Sequence, residues 1–219
     1  MKENNWFDPF YIQSHLSEEE SNIQKNVRDF CNNELKPTVV ERNRKNEFDK
    51  KLYPKFGSLG VLGQTVKTHG GSGTSNLAYG LVAYEFEKID SSYRSSISVQ
   101  SSLVIHPINE FGSQEQKDKY LPPLIKGEKI GCFGLTESEA GSDPTSMKTS
   151  FKKTKDGYIL NGSKNWITNA PIADIFIIWA IEDNKDHKSI KGFIIEKNTE
   201  GLNTSTCLLY TSPSPRDRQ

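Results

Sequence analysis

Apolar and polar positions follow two different rhythms along this chain, and the change falls near residue 129. Upstream the rhythm is helical. Ile23, Val27, Phe30 and Cys31 recur at i, i+4, i+7 and i+8, the stripe of an amphipathic helix. Ser17-Glu18-Glu19-Glu20 just ahead of it reads as a capping box, in which a hydroxyl and a carboxylate three residues apart satisfy free amides at a helix start. Pro37 marks a break, and a second helix is predicted from Asp49 to Leu59, stopping at Gly60. A Gly/Ser-rich turn follows at His69 to Thr74. The next helix, Leu77 to Ile89, is expected to turn Leu77, Leu81, Tyr84 and Ile89 towards a core. Tyr93 to His106 is apolar but rich in serine, which suits close helix approach. Ser113-Gln114-Glu115-Gln116 is a second capping box, opening a short helix to Tyr120 that Pro122-Pro123 should end. The pattern predicts an antiparallel helical bundle.

After Gly131 the texture is strand and turn. Tyr158-Ile159-Leu160 precedes the hairpin dipeptide Asn161-Gly162, while Ile175 to Ala180 and Gly192 to Ile195 are compact runs of β-branched and aromatic residues. Lys155-Asp156-Gly157 and Asn184-Lys185-Asp186 are polar turns between them. The expected fold class is therefore α+β: a helical bundle over 1–129, then a barrel-like antiparallel β domain over 130–205. Residues 206–219 end in a Pro/Ser/Arg run that cannot build a core, and they read as a disordered tail or an aberrant join.

Composition narrows the functional classes. The 219 residues carry 28 Lys plus Arg against 28 Asp plus Glu, a formal net charge of zero, so nucleic acid is not the expected partner. Hydrophobic residues make up 34%, below the roughly 45–50% of self-sufficient domains even after the 16 glycines are added. That deficit, with 11 Phe, 8 Tyr and 3 Trp, suggests a fragment with surface meant to be covered rather than disorder. Three scattered cysteines, Cys31, Cys132 and Cys207, form no disulfide framework and point to a reducing compartment. The longest apolar run, Ile175 to Ile181, is far short of the ~20 residues a membrane helix needs, so no membrane span is expected. Met1 to Trp6 has neither a secretory signal nor the Arg-rich look of a transit peptide.

No Walker loop, GxGxxG, HExxH or GxSxG is present, and the four histidines are too scattered to suggest a metal site. Three stretches carry candidate chemistry. Gly131 to Pro144 begins as a strand and dissolves into small, hydroxyl-bearing residues that offer donors to a flat polar ligand or an anion; a capping turn is the plainer reading. In Asn161 to Ala170, a strand would put the Trp166 ring and the Thr168 hydroxyl on one face, unless Trp166 simply fills a core. In Glu85 to Ser96, Glu87 and Arg94 flank a helix–helix corner, where an arginine among hydroxyls suits a carboxylate, or where the two form an ordinary surface ion pair.

Together these stretches resemble the acyl-CoA dehydrogenase family: Cys132 to Pro144 its first signature, and Trp166-Ile167-Thr168 its flavin-edge strand. Glu85 to Glu87, Asp90 to Ser95, Val99 to Val104 and His106-Pro107-Ile108, with Trp6-Phe7-Asp8-Pro9 at the start, are most similar to members acting on glutaryl-CoA. The likeness covers roughly residues 6–205. It implies FAD as cofactor, lined by Phe133, Gly134, Leu135, Thr136, Gly141 and Ser142 and covered by Trp166, Ile167 and Thr168. It also implies that Ser142 contacts the CoA portion, and that Arg94 and Ser95, supported by Glu87, hold the distal carboxylate of a glutaryl chain.

The reaction implied is removal of an α-proton by a glutamate and of a β-hydrogen as hydride to FAD. Glutaryl-CoA would go on to crotonyl-CoA and CO2, and electrons would pass to an electron-transfer flavoprotein. The family's base lies in a C-terminal helical domain absent from this sequence, so no residue here is named as base and the chain alone should lack turnover. A homotetramer in the mitochondrial matrix is implied for the complete enzyme. Two alternatives remain open: a dehydrogenase or oxidase for an unsubstituted acyl chain, and a non-catalytic flavin- or partner-binding module.

Overall fold

The computed structural model describes residue 8 and residues 10–206, and it divides into one unit ending at Cys132 and a second beginning at Phe133. Most of the opening Trp6–Pro9 segment, the third cysteine and the Pro/Ser/Arg run lie outside the described residues.

The first unit is helical. Helix α1 (Glu18–Phe30) starts at Ser17, whose hydroxyl accepts the Glu20 amide at 3.2 Å while the Glu20 carboxylate accepts the Ser17 amide at 3.0 Å. The helix continues as a π-helical stretch, Cys31–Leu35. A turn containing Pro37 then leads into α2 (Val39–Lys45), a helix the hydrophobic pattern did not predict. Helix α3 (Leu52–Ser58) is followed by Gly60 at φ +76°. Ser75 caps α4 (Asn76–Glu87), and Asp90 caps α5 (Ser91–Ser98). From α5 the chain runs through a second π-helical stretch, Val99–Ile105, into α6 (His106–Phe111), past the expected end at His106. The second capping box opens α7 (Gln114–Ile125).

Tyr53, Phe56, Phe86, Leu35, Leu121 and Leu124 are fully buried and form the centre of this unit. Phe56 meets Phe86 edge to face, with ring centroids 5.4 Å apart at 89°. Such pairs add ~0.5–1.5 kcal/mol to their area burial. In the π-helical stretch Val99–Ile105, the buried Gln100 donates from Nε2 to the Leu124 and Lys129 carbonyls, both at 2.9 Å, and accepts the Gly131 amide at 2.7 Å. One side chain thereby fixes where the chain leaves α7 for the first strand.

Two helical expectations are corrected. The buried face of α4 is Ala78, Leu81, Val82, Glu85 and Phe86, whereas Leu77 and Tyr84 are 46% and 51% exposed. The helix is apolar on most of its circumference, so periodicity alone did not choose the face. Helix α7 also runs through Pro122 and Pro123 to Ile125. Each proline costs ~3 kcal/mol or more in a helix interior. Buried Leu121, Leu124 and Ile125 offset this at ~1.5–3 kcal/mol each.

The second unit carries a five-stranded sheet, in the order β1-β4-β2-β3 with β5 also on β4. Its strands are β1 (Gly131–Gly134), β2 (Ser150–Lys153), β3 (Tyr158–Asn161), β4 (Ile175–Glu182) and β5 (Lys191–Glu196). Strands β2 and β3 form an antiparallel hairpin, as do β4 and β5. Strand β4 runs parallel to β2, pairing Ser150 with Ile181 and Phe151 with Glu182. The expected antiparallel sheet is therefore a mixed one. After β3 the chain does not turn straight back: residues 162–174 cross over, and β4 arrives in the direction of β2. The hairpin turn of β2 and β3 is closed by the Thr154 amide on the Gly157 carbonyl at 2.9 Å. Asn161-Gly162 is consequently not a hairpin turn. Asn161 is a ladder residue opposite Ser150, and Gly162 lies so close to Thr149 that a Cβ there would be 2.5 Å from its Oγ1.

These burials set the first prediction. Phe86→Ala should lower the stability of the helical unit by about 3–5 kcal/mol, read from urea unfolding followed by circular dichroism. Leu77→Ala on the exposed face of the same helix should stay within about 0.5 kcal/mol of the parent.

Candidate functional site

The candidate residues fall into one cluster in each unit. In the second unit, the Phe133 ring packs edge-on against Trp179, with centroids 6.0 Å apart. A Cβ at Gly134 would sit 2.6 Å from Ile178 Cδ1, so this position admits no side chain without displacement. Leu135 and Thr136 then leave the strand, and the chain folds back through paired backbone hydrogen bonds between Glu137 and Ala140. Gly141 and Ser142 are exposed at the far side of this turn.

Glu137 does not stay in solvent. Its side chain is 8% exposed and meets Lys164, 7% exposed, at 2.7 Å. The same carboxylate accepts the Lys148 amide at 2.7 Å and the Thr149 amide at 3.0 Å. Burial alone would raise its pKa. The hydrogen bonds from Lys164, Thr149 and Lys148 prevail and hold it at about 2, well below the ordinary 4.5. Lys164 also donates to the Leu135 carbonyl at 3.0 Å, and the Asn165 amide donates to the Thr136 carbonyl at 2.9 Å. Two stretches singled out separately in the sequence, 131–144 and 161–170, are thus bonded to each other.

Trp166 corrects another expectation. It lies on no strand: its φ is +56°, its side chain is 63% exposed, and Asn169 nearby is also left-handed at +70°. A ladder requires extended backbone, so the expected strand face shared by Trp166 and Thr168 does not exist. Nor does Trp166 fill a core; the tryptophan packed on the sheet is Trp179. Ile167 is half-buried, Thr168 is exposed, and no hydrogen bond among the described residues engages the Thr168 hydroxyl.

The cluster of the first unit sits where α4 meets α5. Arg94 donates through Nε to Glu87 at 2.6 Å, and the Ser91 hydroxyl donates to the other oxygen of that carboxylate, also at 2.6 Å. The Arg94 and Ser91 hydrogen bonds hold Glu87 below the usual carboxylate range. Because the guanidinium is held by Nε, its terminal nitrogens are not engaged among the described residues. Arg94 lines a cavity of about 10 Å³ with Tyr79, Val82, Phe86, Ile97 and Ser98. Ser95 is half-buried on the same helix.

Sequence reasoning missed Glu137 and Lys164 as organisers of the site. The available signal was their charge: Lys164 is the lone charge in Asn161 to Ala170, and Glu137 is one of two glutamates in the Thr136 to Ala140 turn, both in stretches already marked for a ligand. Among the described residues no group of three His, Cys, Asp or Glu side chains is placed to hold a metal ion.

The acyl-CoA dehydrogenase N-terminal domain matches residues 17–128, and the acyl-CoA dehydrogenase middle domain matches residues 132–209. The chain belongs to the acyl-CoA dehydrogenase family. It is 40% identical over 190 residues to the short-chain-specific acyl-CoA dehydrogenase of Clostridium acetobutylicum, covering 86% of this chain and 50% of that protein. It is equally 40% identical, over 196 residues, to the mitochondrial isovaleryl-CoA dehydrogenase of Pongo abelii, covering 87% of this chain and 46% of the relative. A glutaryl-CoA dehydrogenase from Mycobacterium smegmatis, solved in complex with FADH2, superposes with a TM-score of 0.88 at 39% identity. That superposition covers 93% of this chain and 52% of the other. The chain spans about half the length of these acyl-CoA dehydrogenases.

The Glu137 carboxylate sets an acid limit for this acyl-CoA dehydrogenase chain. A pKa lowered from 4.5 to about 2 contributes stability that is complete above the unfolded value and drains away as pH falls through the folded one. The second unit should therefore lose urea resistance steeply between pH 4.5 and 2, and Glu137→Gln should flatten that dependence. At pH 7 the same substitution should cost about 3–5 kcal/mol, because it leaves Lys164 buried without its counter-charge.

Proposed function

We propose that this chain supplies the FAD-binding and acyl-recognition surfaces of an enzyme that oxidises acyl-CoA thioesters to 2-enoyl-CoA, with glutaryl-CoA as substrate. The observation that carries the substrate is the Glu87–Arg94 pair. Glu87 holds the guanidinium by Nε and leaves its terminal nitrogens for a second carboxylate, the fork that a dicarboxylic acyl chain presents. Ser95 stands one residue on as a further donor.

The second unit fits a flavin by the chemistry of its donors. A flat heteroaromatic ring with polar edges calls for an aromatic face, backbone amides and a neutral hydroxyl. Trp166 offers an exposed ring, Thr168 an unengaged hydroxyl, and Leu135 and Thr136 backbone amides beyond Phe133 and Gly134, where the strand is packed on Trp179 and Ile178. Gly141 and Ser142 complete the lining, with Ser142 also towards the CoA portion. Bound FAD supplies the hydride acceptor. With FAD bound, the Thr168 hydroxyl and the Leu135 and Thr136 amides would donate to the polar edge of the ring, and Arg94 would hold the distal carboxylate of the acyl chain ionised and oriented.

The α-proton is removed by a base that none of these residues supplies, so in this reading the remaining half of the enzyme provides a glutamate. Crotonyl-CoA and CO2 are the products, electrons leave to an electron-transfer flavoprotein, and the complete enzyme works as a homotetramer in the mitochondrial matrix. The compartment in this reading is supported by the mitochondrial name of the isovaleryl-CoA relative, while the Clostridium and Mycobacterium proteins are bacterial. A second reading, an unsubstituted short acyl chain, is favoured by the 40% identity to the short-chain-specific enzyme.

Arg94→Ala decides between the two. In a full-length family enzyme carrying this chain as its N-terminal half, it should cut kcat/KM on glutaryl-CoA by about 100-fold or more while leaving butyryl-CoA within a few-fold, because a buried, unpaired carboxylate is costly. Equal losses on both substrates would support the short-chain reading. The 219-residue chain alone should show no turnover of either thioester.

A further inference from the structure

Resting on the flavin reading above, we infer that Glu137 and Lys164 are the positioning residues of that site: a buried charge pair that locks the 135–137 backbone to the 164–165 backbone before any ligand arrives. Neither side chain is placed to touch a ligand. Both side chains are more than nine-tenths buried, and their charged ends meet each other, the Leu135 carbonyl and the Lys148 and Thr149 amides. What they hold is the backbone on either side. Lys164 spans the gap, with its ammonium on Glu137 at 2.7 Å and on the Leu135 carbonyl at 3.0 Å. The next amide, Asn165, reaches the Thr136 carbonyl at 2.9 Å. Leu135 and Thr136 are thus fixed through their carbonyls, and the chain enters Trp166 from two bonded residues.

That anchoring explains how Trp166 keeps its left-handed φ of +56°, a conformation of real cost for a bulky side chain that persists only where the surroundings over-determine it. On the far side, the Glu137 carboxylate takes the Lys148 and Thr149 amides, which lead directly into β2. The pair therefore ties both candidate lining segments to the sheet. Glu137 stays ionised far below neutral pH, so the lock does not depend on physiological proton concentration.

The test uses the 219-residue chain as parent, with Glu137→Gln, Lys164→Met and the double variant. Hydrogen exchange without ligand is read by mass spectrometry on peptides spanning 133–140 and 161–170, and FAD uptake is then titrated by flavin fluorescence. Each single variant should speed exchange in both segments by about tenfold or more, leave β4 and β5 protected, and weaken FAD uptake by about tenfold or more. The double variant should be no worse than the worse single one, since residues acting as a pair are non-additive. Faster exchange only in the segment carrying the substitution, or additive losses in the double variant, would overturn the lock.

If parent and variants bind FAD equally while the segments loosen, the positioning role falls and the flavin reading stands. If neither the parent nor a full-length family enzyme carrying it as its N-terminal half takes up FAD while the exchange pattern is as expected, the flavin reading falls and the lock stands. Should both single variants unfold the second unit, a neutral double variant that refolds supports the pair, and one that stays unfolded counts against it.

Discussion

Removing a carboxylate and an ammonium from water together costs several kcal/mol per ion, and the loss is recovered only if each charge and each remaining lone pair finds a partner. Glu137 and Lys164 meet that demand by recruiting backbone from three directions: the Leu135 carbonyl, the Lys148 amide and the Thr149 amide. Each of those bonds is also a restriction on the chain. Within 135–149 the Glu137–Ala140 turn and the Asp143-capped turn Pro144–Ser146 are local structure, and the charge pair supplies the longer-range bonds that join this segment to 162–169.

The helical unit uses buried polar groups in the same way. Gln100 spends its whole amide on the exit from α7, and Glu85, buried on α4, is satisfied by Gln24, Arg28 and Lys88. The Glu87–Arg94 pair is a different kind of object. It is partly exposed, and pairs of that kind are worth only ~0–1 kcal/mol. A weak internal pair suits exchange with a ligand, whereas the buried pairs suit permanence. The molecule separates these two duties between different residues.

How much of this could be read beforehand followed from the range of each interaction. Both capping boxes were legible because Ser17 with Glu20 and Ser113 with Gln116 act within one turn. The apolar run Ile175 to Ala180 was legible as a strand because a central strand buries both faces. The direction of β4 was not, because it depends on a crossover rather than on any dipeptide. The conformation of Trp166 escaped because nothing in Asn165-Trp166-Ile167 announces a left-handed residue; it is imposed by bonds to a segment some thirty positions upstream. Likewise Glu137 and Lys164 carried a charge signal, but their pairing exists only in three dimensions. The residue types of the site were visible, and their geometry was not.

Strand β3 stands at the end of the strand order, with Tyr158 and Ile159 largely exposed and, among the described residues, β2 as its sole strand neighbour. An edge of this kind is a template on which another extended chain can add by backbone pairing alone. The flanking sequence answers the hazard with charge: Lys152 and Lys153 are exposed on β2, and Lys155 sits in the turn that leads into β3. Three ammonium groups along a short hairpin make an approaching copy of the same hairpin bring like charge against like charge. The colloidal behaviour of the chain is therefore tied to lysine ionisation and to salt. Screening or acetylating those side chains removes the repulsion while leaving the adhesive edge in place.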